Sequence, residues 1–137
     1  MILIYQQGNY YIFDRGYNDF SRLYAINNHN AFFVFRARNG VKFRHIYSIK
    51  NENQSGIKAD QIGVFTTGNS PKRYPKKICK ICYYDTEQDR DFVSLTNDFN
   101  SDANTITELY RNYLRNIAGY WQVITQQNAH KSTINKI

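Results

Sequence analysis

The chain has 137 residues, which suits one domain that buries about two thirds of the surface exposed by its unfolded chain. The formal charge of +7 and the 16% content of aromatic residues favour an anionic partner, and no apolar run approaches the roughly 18 residues that a membrane span needs. The first residues lack the basic segment, apolar run and cleavage site of a signal peptide, so we expect a cytoplasmic protein with two reduced cysteines.

Residues 8 to 38 predict a strand, a helix and a second strand. The run YYIF at 10–13 is continuously apolar, which is typical of a strand covered on both faces, and AFFVFRA at 31–37 is a second such run. Between them, apolar residues recur at helical spacing until NNHN at 27–30 ends the pattern. This crossover predicts an α/β layer.

From residue 41 the hydrophobic period changes. VKFRHIYSI alternates as a half-exposed antiparallel strand does, and QIGVFTT, KKICKICYYD and DFVSLTN predict three more strands. Residues 41–98 therefore predict an antiparallel, β-rich insertion.

A helix is predicted over residues 101–118, capped by Ser101 or Asp102 and ended by Gly119. Its apolar stripe contains Ala103, Ile106, Tyr110, Tyr113, Leu114 and Ile117. Residues 119–137 have no clean period, and we expect this tail to be loosely ordered.

The basic residues form two clusters in which they alternate with aromatic or apolar residues. The first contains Arg36, Arg38, Lys42 and Arg44, and the second contains Lys72, Arg73, Lys76, Lys77 and Lys80. Such interleaving suits phosphate contacts beside stacking rings. The solvated faces of two-sided strands would give the same pattern, so the charge alone leaves both interpretations open.

Two further clusters have a structural and a metal-binding interpretation. Cys79 and Cys82 form a C-x-x-C pair, but no second pair follows, the three histidines stand singly, and residues three apart on a strand point to opposite faces. We therefore expect both cysteines to be structural. The acidic residues of 85–91 lack the glycine and glutamate of a calcium loop, and a solvated hairpin turn is favoured.

Asp14 stands between the first predicted strand and its helix. In open α/β sheets ligands collect at the carboxyl ends of strands, where an aspartate is well placed to hold Mg²⁺. An aspartate just before a helix is equally a favoured N-cap. Residue chemistry alone leaves these alternatives open.

Four segments of the chain, in order, resemble one known family. They are YYIFDRGYNDFSRLYAIN, AFFVFRARNGVKFRHIYS, GIKADQIGVFTTGNSPKRYPKKICKICYYDTEQDRDFVSLTNDF and TITELYRN. Together they resemble the DDE transposases of the insertion-sequence-four type, especially those of Bacteroides-like bacteria, from about residue 8 to residue 112. The DRGY-x-DF core is the most specific piece.

The resemblance implies a partial ribonuclease-H-like core, interrupted by the β-rich insertion, in a bacterial protein that cleaves and transfers DNA strands with Mg²⁺. It makes Asp14 the second aspartate of the catalytic triad and a metal ligand. It places Arg15 and Tyr17 in the same motif, where they would support the metal site, contact DNA or have a structural role. DNA is the implied partner, and the intact family allows a dimer. From charge and spacing we predict phosphate contacts by Arg36, Arg38, Arg44, Lys76 and Lys77.

The sequence departs from this family at the other two members of the triad. No acidic residue precedes Asp14, whereas the family has its first aspartate well upstream of the DRGY element. The family's glutamate belongs to a signature of Tyr, two residues, Arg, three residues, Glu, six residues and Lys. Aligning Tyr110 with its tyrosine puts Ile117 at the glutamate, and matching Trp121 to Val123 instead puts Ile124 there. No Asp or Glu follows Glu108.

We therefore expect residues 1–137 to form one partial catalytic domain, with core elements at 8–38, the insertion at 41–98, a helix at 101–118 and a divergent tail at 119–137. This predicts an internal transposase fragment without catalytic activity. The alternatives are a DNA-binding remnant that does not cleave, and an unrelated small basic nucleic-acid-binding protein.

Overall fold

The computed structural model of the chain describes residues 5–13, 19–37, 42–50, 56–66, 70–116, 122–124 and 135–136. Within these ranges the chain forms eight strands and three helices. The strands are β1 Tyr10–Phe13, β2 Phe32–Arg36, β3 Phe43–Ser48, β4 Ile57–Phe65, β5 Ile78–Asp85, β6 Arg90–Thr96, β7 Gln122–Ile124 and β8 Asn135–Lys136. The helices are α1 Phe20–Asn28, α2 Ser70–Arg73 and α3 Ala103–Asn116.

All the strands belong to one mixed sheet with the order β3-β4-β5-β6-β2-β1-β7-β8. β1 and β2 are parallel, joined by α1, and the other pairs are antiparallel. The predicted crossover and the antiparallel strands after residue 41 are thus present. The antiparallel strands extend the sheet that contains β1 and β2, because β6 pairs directly with β2.

Helices cover both faces of the sheet. On one face, called here the α3 face, Ile12, Val34 and Ile81 pack with the apolar stripe of α3. On the other face, the α1 face, Phe33, Phe35 and other apolar residues pack with Leu23 and Ile26 of α1 and with Tyr74 after α2. All four residues of β1 are buried, as its continuous apolar run predicts.

Strand β3 is more exposed than its alternating sequence predicts. Residues 44–48 are all exposed, and Ile46 and Tyr47 retain 41% and 49% of their accessible surface. The reason is position, since β3 is the outermost strand at its end of the sheet and is irregular between His45 and Tyr47. Only Phe43 packs inward, across Gly63 of β4, where an added Cβ would lie 2.2 Å from the Arg44 carbonyl oxygen.

Helix α3 begins as its sequence predicts. The Asp102 carboxylate accepts a hydrogen bond from the Thr105 amide at 2.8 Å, which caps the first turn. The predicted stripe is buried at Ala103, Ile106, Tyr110 and Tyr113, with Leu109 as an additional member. Ile117 and Gly119 lie outside the described residues.

The segment after α3 contributes two short strands that the sequence pattern did not predict. β7 pairs antiparallel with β1, opposite the side on which β2 pairs, and β8 pairs with β7. The strand that immediately precedes Asp14 is therefore an interior strand of the sheet.

Candidate functional site

The carboxyl ends of β1 and β2 define one edge of the sheet, called here the carboxyl edge. Phe13 and Phe35 are partners in the parallel pairing of β1 and β2, so both strands end at the same edge. Arg36 is the last residue of β2, and Asp14 follows β1 in the sequence. Asp14, Arg15 and Tyr17 lie outside the described residues. Their place in the chain is directly after β1, where ligand sites of α/β sheets form.

The cap of helix α1 is Asp19. Its carboxylate accepts a hydrogen bond from the Arg22 amide at 3.1 Å, and α1 begins at Phe20. The alternative interpretation of Asp14 as the N-cap of this helix is therefore wrong, because the first turn already has its cap.

Two acidic groups on the α3 face lie well away from β1, the strand that precedes Asp14 in the sequence. Asp85 ends β5, and Glu108 is ion-paired at 2.7 Å with Arg111, whose Nε lies 4.0 Å from the Asp85 carboxylate. β5 is separated from β1 by β6 and β2, which puts the two strands roughly 14 Å apart. The ions of a two-metal site lie only about 4 Å apart.

The carboxyl-terminal half of α3 approaches the same edge without a carboxylate. The helix starts beside the end of β6 and runs along the α3 face until Arg111 donates to the Tyr84 carbonyl oxygen at 3.4 Å. Tyr110 and Tyr113, which the family signature would align with its tyrosine and arginine, are 0% and 2% exposed. Both pack in the core, so neither side chain faces the edge.

In the part of the chain that the structure describes, no group of three or more His, Cys, Asp or Glu side chains could hold a metal ion. The predicted burial of the two cysteines is confirmed for Cys79 and only in part for Cys82. Cys79 is buried on the α3 face and donates its thiol proton to the Asp60 carboxylate at 3.2 Å, whereas Cys82 is only half-buried. Burial and the neighbouring Asp60 raise the pKa of the Cys79 thiol well above its usual range.

The acidic stretch after β5 is a hairpin turn, as predicted. Residues 86–89 connect β5 to β6, and the buried Asp85 carboxylate accepts hydrogen bonds from the Glu87 and Gln88 amides at 2.9 and 3.4 Å. Asp89 adopts a φ of +50°, which suits an aspartate at a turn. The side chain of Asp91 instead bonds Lys58 at 2.8 Å.

The predicted phosphate contacts divide between the two edges of the sheet. Arg36, at the end of β2, lies at the carboxyl edge, on the α3 face. Arg44, Lys76 and Lys77 are exposed at the opposite, amino edge, where β3 and β5 begin. Lys76 and Lys77 precede β5, whose residue Lys80 is level with Phe13 through Phe35 and Leu95. Both lysines therefore lie below that level, away from the carboxyl edge. Arg38 lies outside the described residues.

The LTNDF segment has a structural role that motif matching alone does not reveal. The Asn97 amide oxygen accepts from the Phe33 backbone at 2.8 Å, and its amide nitrogen donates to the Ala31 carbonyl oxygen and to Asn27, each at 3.0 Å. The buried Asp98 carboxylate accepts from the Tyr10 hydroxyl at 2.5 Å and from the Ser101 amide at 3.1 Å. Buried apolar surroundings and the Asp98 bond raise the pKa of Tyr10 above its usual range.

Comparison with known proteins gives one family. Residues 1–112 match the family model described as Transposase DDE domain. No curated protein and no solved structure is significantly similar to the chain. Within the described residues, no helix has both the length and the apolar character needed to cross a bilayer.

Proposed function

Because this chain belongs to the Transposase DDE domain family, we propose that its transposition-related function is that of a DNA-binding piece of an insertion-sequence-four-type transposase from a Bacteroides-like bacterium. In this proposal residues 8–38 and α3 form a partial ribonuclease-H-like core, and residues 41–98 are an insertion in it. The protein binds DNA in the bacterial cytoplasm and does not cleave it.

The proposed absence of cleavage is supported by the residues of α3 near the carboxyl edge, none of which is a carboxylate. Glu108 is the last acidic residue of the sequence, and it lies over β5, paired with Arg111. The later positions that family alignment offers for the glutamate, 117 and 124, are isoleucines. A two-metal site needs several convergent carboxylates to offset the charge of the ions.

Asp14 keeps its proposed place as a metal ligand of the intact family. The capping of α1 by Asp19 supports this, because it leaves Asp14 without the competing role at that helix. Divalent metal in this family activates the attacking oxygen and stabilises the leaving one. The carboxylates of the described residues do not fit a two-ion centre, so we assign no reaction step to Mg²⁺ in this chain.

The end of the family match supports the proposal that the sequence is a fragment or a frame-shifted product. The match ends at residue 112, within α3, two residues after the position aligned with the signature tyrosine. Translation of all frames of the locus tests this point. A continuation with the family's glutamate and lysine in another frame is expected, and its absence from every frame would contradict the proposal.

Cleavage is tested with supercoiled plasmid incubated with Mg²⁺ or Mn²⁺, using Asp14→Asn as the matched variant. We expect wild type and Asp14→Asn to leave the plasmid equally intact. Metal-dependent nicking by the wild type that the Asp14→Asn variant loses would refute the proposed inactivity.

Binding is tested by fluorescence anisotropy with a short duplex DNA between about 50 and 200 mM KCl. We expect an affinity that falls steeply with salt and shows no sequence preference, because the proposed contacts are to phosphates. Equal affinity for RNA and DNA of one sequence would contradict a preference for DNA and favour a general nucleic-acid-binding role. An absence of binding at the lowest salt would refute the DNA-binding function.

A further inference from the structure

Two arginines on the α3 face converge on one buried ring beside the carboxyl edge. The guanidinium carbon of Arg36 lies 4.3 Å from the centroid of Phe92, and that of Arg90 lies 5.0 Å from the same centroid. Phe92 is 3% exposed and packs against Tyr83 and Tyr110. The ring therefore holds both guanidinium groups over a rigid, apolar floor.

The strand register explains why these side chains meet. Arg36 of β2 is level with Ser94 of β6, while Phe92 and Arg90 lie two and four residues before Ser94 on the same strand. Residues two apart on a strand point to the same face, so all of these side chains lie on the α3 face. The β5–β6 hairpin extends beyond the carboxyl edge, and Arg90 folds back toward Arg36 over Phe92.

Neither arginine is neutralised by a neighbouring carboxylate in the described part of the chain. Asp85 is the cross-strand partner of Arg90, but its carboxylate accepts from the turn amides and faces Arg111. Asp91, the next residue along, points to the other face and pairs with Lys58. Two guanidinium groups that lie on one ring and have no carboxylate partner among the described residues form a site for phosphate oxygens, which they bind in a planar, forked geometry.

We propose that Arg36 and Arg90, held by Phe92, form a clamp for DNA backbone phosphates at the carboxyl edge, next to the strand that leads to Asp14. This inference rests on the proposed DNA-binding function and adds Arg90 to the residues predicted from sequence. The clamp and the amino-edge cations Arg44, Lys76 and Lys77 would contact separate stretches of the duplex.

The test measures the slope of log affinity against log salt for the double variant Arg36→Gln/Arg90→Gln, with a short duplex DNA as the probe. Loss of contacts to two phosphates is expected to reduce the magnitude of the slope by about 1.8. The matched control is Arg22→Gln/Lys50→Gln, which removes the same charge from α1 and from the end of β3. We expect the control to keep the wild-type slope to within about 0.5.

A third variant separates loss of contact from loss of fold. Arg36→Lys/Arg90→Lys keeps both charges but loses the forked geometry, so it should retain the wild-type slope, and urea melts establish that each variant is folded. If wild type binds DNA and Arg36→Gln/Arg90→Gln keeps the control's slope, the clamp is refuted while the proposed function stands. If wild type does not bind, the proposed function itself fails. A lysine variant that loses as much slope as the glutamine variant would also refute a charge contact.

Discussion

Replacement of Asn97, the asparagine of the LTNDF segment, is expected to destabilise the fold strongly. Its side chain makes three hydrogen bonds at 2.8 to 3.0 Å while it is 6% exposed, and two of the partners are backbone groups, the Phe33 amide and the Ala31 carbonyl. These bonds join the residue that follows β6 to α1, to β2 and to the connection between them. Asn97→Ala removes all three bonds and inserts no replacement.

The cost follows from the groups left behind. A buried backbone donor or acceptor without a partner costs about 1 to 3 kcal/mol, and Asn97→Ala leaves one of each, so we expect a loss of about 3 kcal/mol in the free energy of unfolding. For a domain of this size such a loss corresponds to a melting temperature lower by roughly 10 °C. Urea denaturation followed by circular dichroism measures the change directly.

The matched control is Asn100→Ala. Asn100 is exposed nearby, and the hydrogen bond that it makes to Asp98 comes from its backbone amide, which the substitution keeps. We expect a change within about 0.5 kcal/mol. If Asn97→Ala were as mild as Asn100→Ala, then Asn97 would not fasten these elements together, and its presence in the family-like segment would need another explanation.

Other expected outcomes follow from single contacts. In urea melts, Tyr10→Phe should lower the free energy of unfolding by about 2 kcal/mol, because Asp98 loses a buried donor. Tyr74→Phe should lower it by less than about 0.5 kcal/mol, because the Tyr74 hydroxyl is buried without a partner among the described residues. The free energy of unfolding should fall above pH 10. Burial raises the pKa of Tyr10 and raises the pKa of Tyr83 to about 12, so the folded state keeps protons that the unfolded state loses. A free energy of unfolding that stays constant from pH 9 to 11 would refute this. Iodoacetamide should alkylate Cys82 before Cys79 in the folded protein, as peptide mass mapping can show, because Cys79 is more buried and bonded to Asp60. Gly63→Ala should increase hydrogen exchange in β3 more than in β6, because the added Cβ would meet the Arg44 carbonyl oxygen at 2.2 Å.

The elements with a strong local signal were predictable from sequence. YYIF and AFFVF are continuous apolar runs, and α3 has both a cap and a regular stripe, so neighbouring residues alone determine strand or helix. The same holds for the acidic turn, whose residues favour solvent and turn geometry. The exposure of β3 was not predictable. Its alternating apolar and polar residues indicate that one face is apolar, but they do not indicate whether a helix covers that face.

The candidate site was predictable only in its chemistry. Interleaved cations indicated phosphate contacts, but the separation of Arg36 from Lys76 and Lys77 depends on the directions of three neighbouring strands, β2, β6 and β5. Arg90 was not predictable because it stands in an acidic stretch of the sequence. Its proposed role depends on the Phe92 ring, two residues away, which Arg36 contacts from another strand. The roles of Asn97 and Asp98 likewise depend on partners more than sixty residues distant.

The direct pairing of β2 with β6 has a consequence for how the chain folds. This pairing joins residues 34–36 to residues 94–96, so it closes a loop of about sixty residues. Closing such a loop in an unfolded chain costs conformational entropy. The cost is smaller once the intervening strands have paired, because their pairing brings β6 closer to β2. The β3-β4-β5-β6 meander consists of pairings between consecutive strands, which form with little loop closure. We therefore expect the meander to fold early and to act as the template on which β2, and then β1, complete the sheet, so that the strand leading to Asp14 is among the last to be fixed.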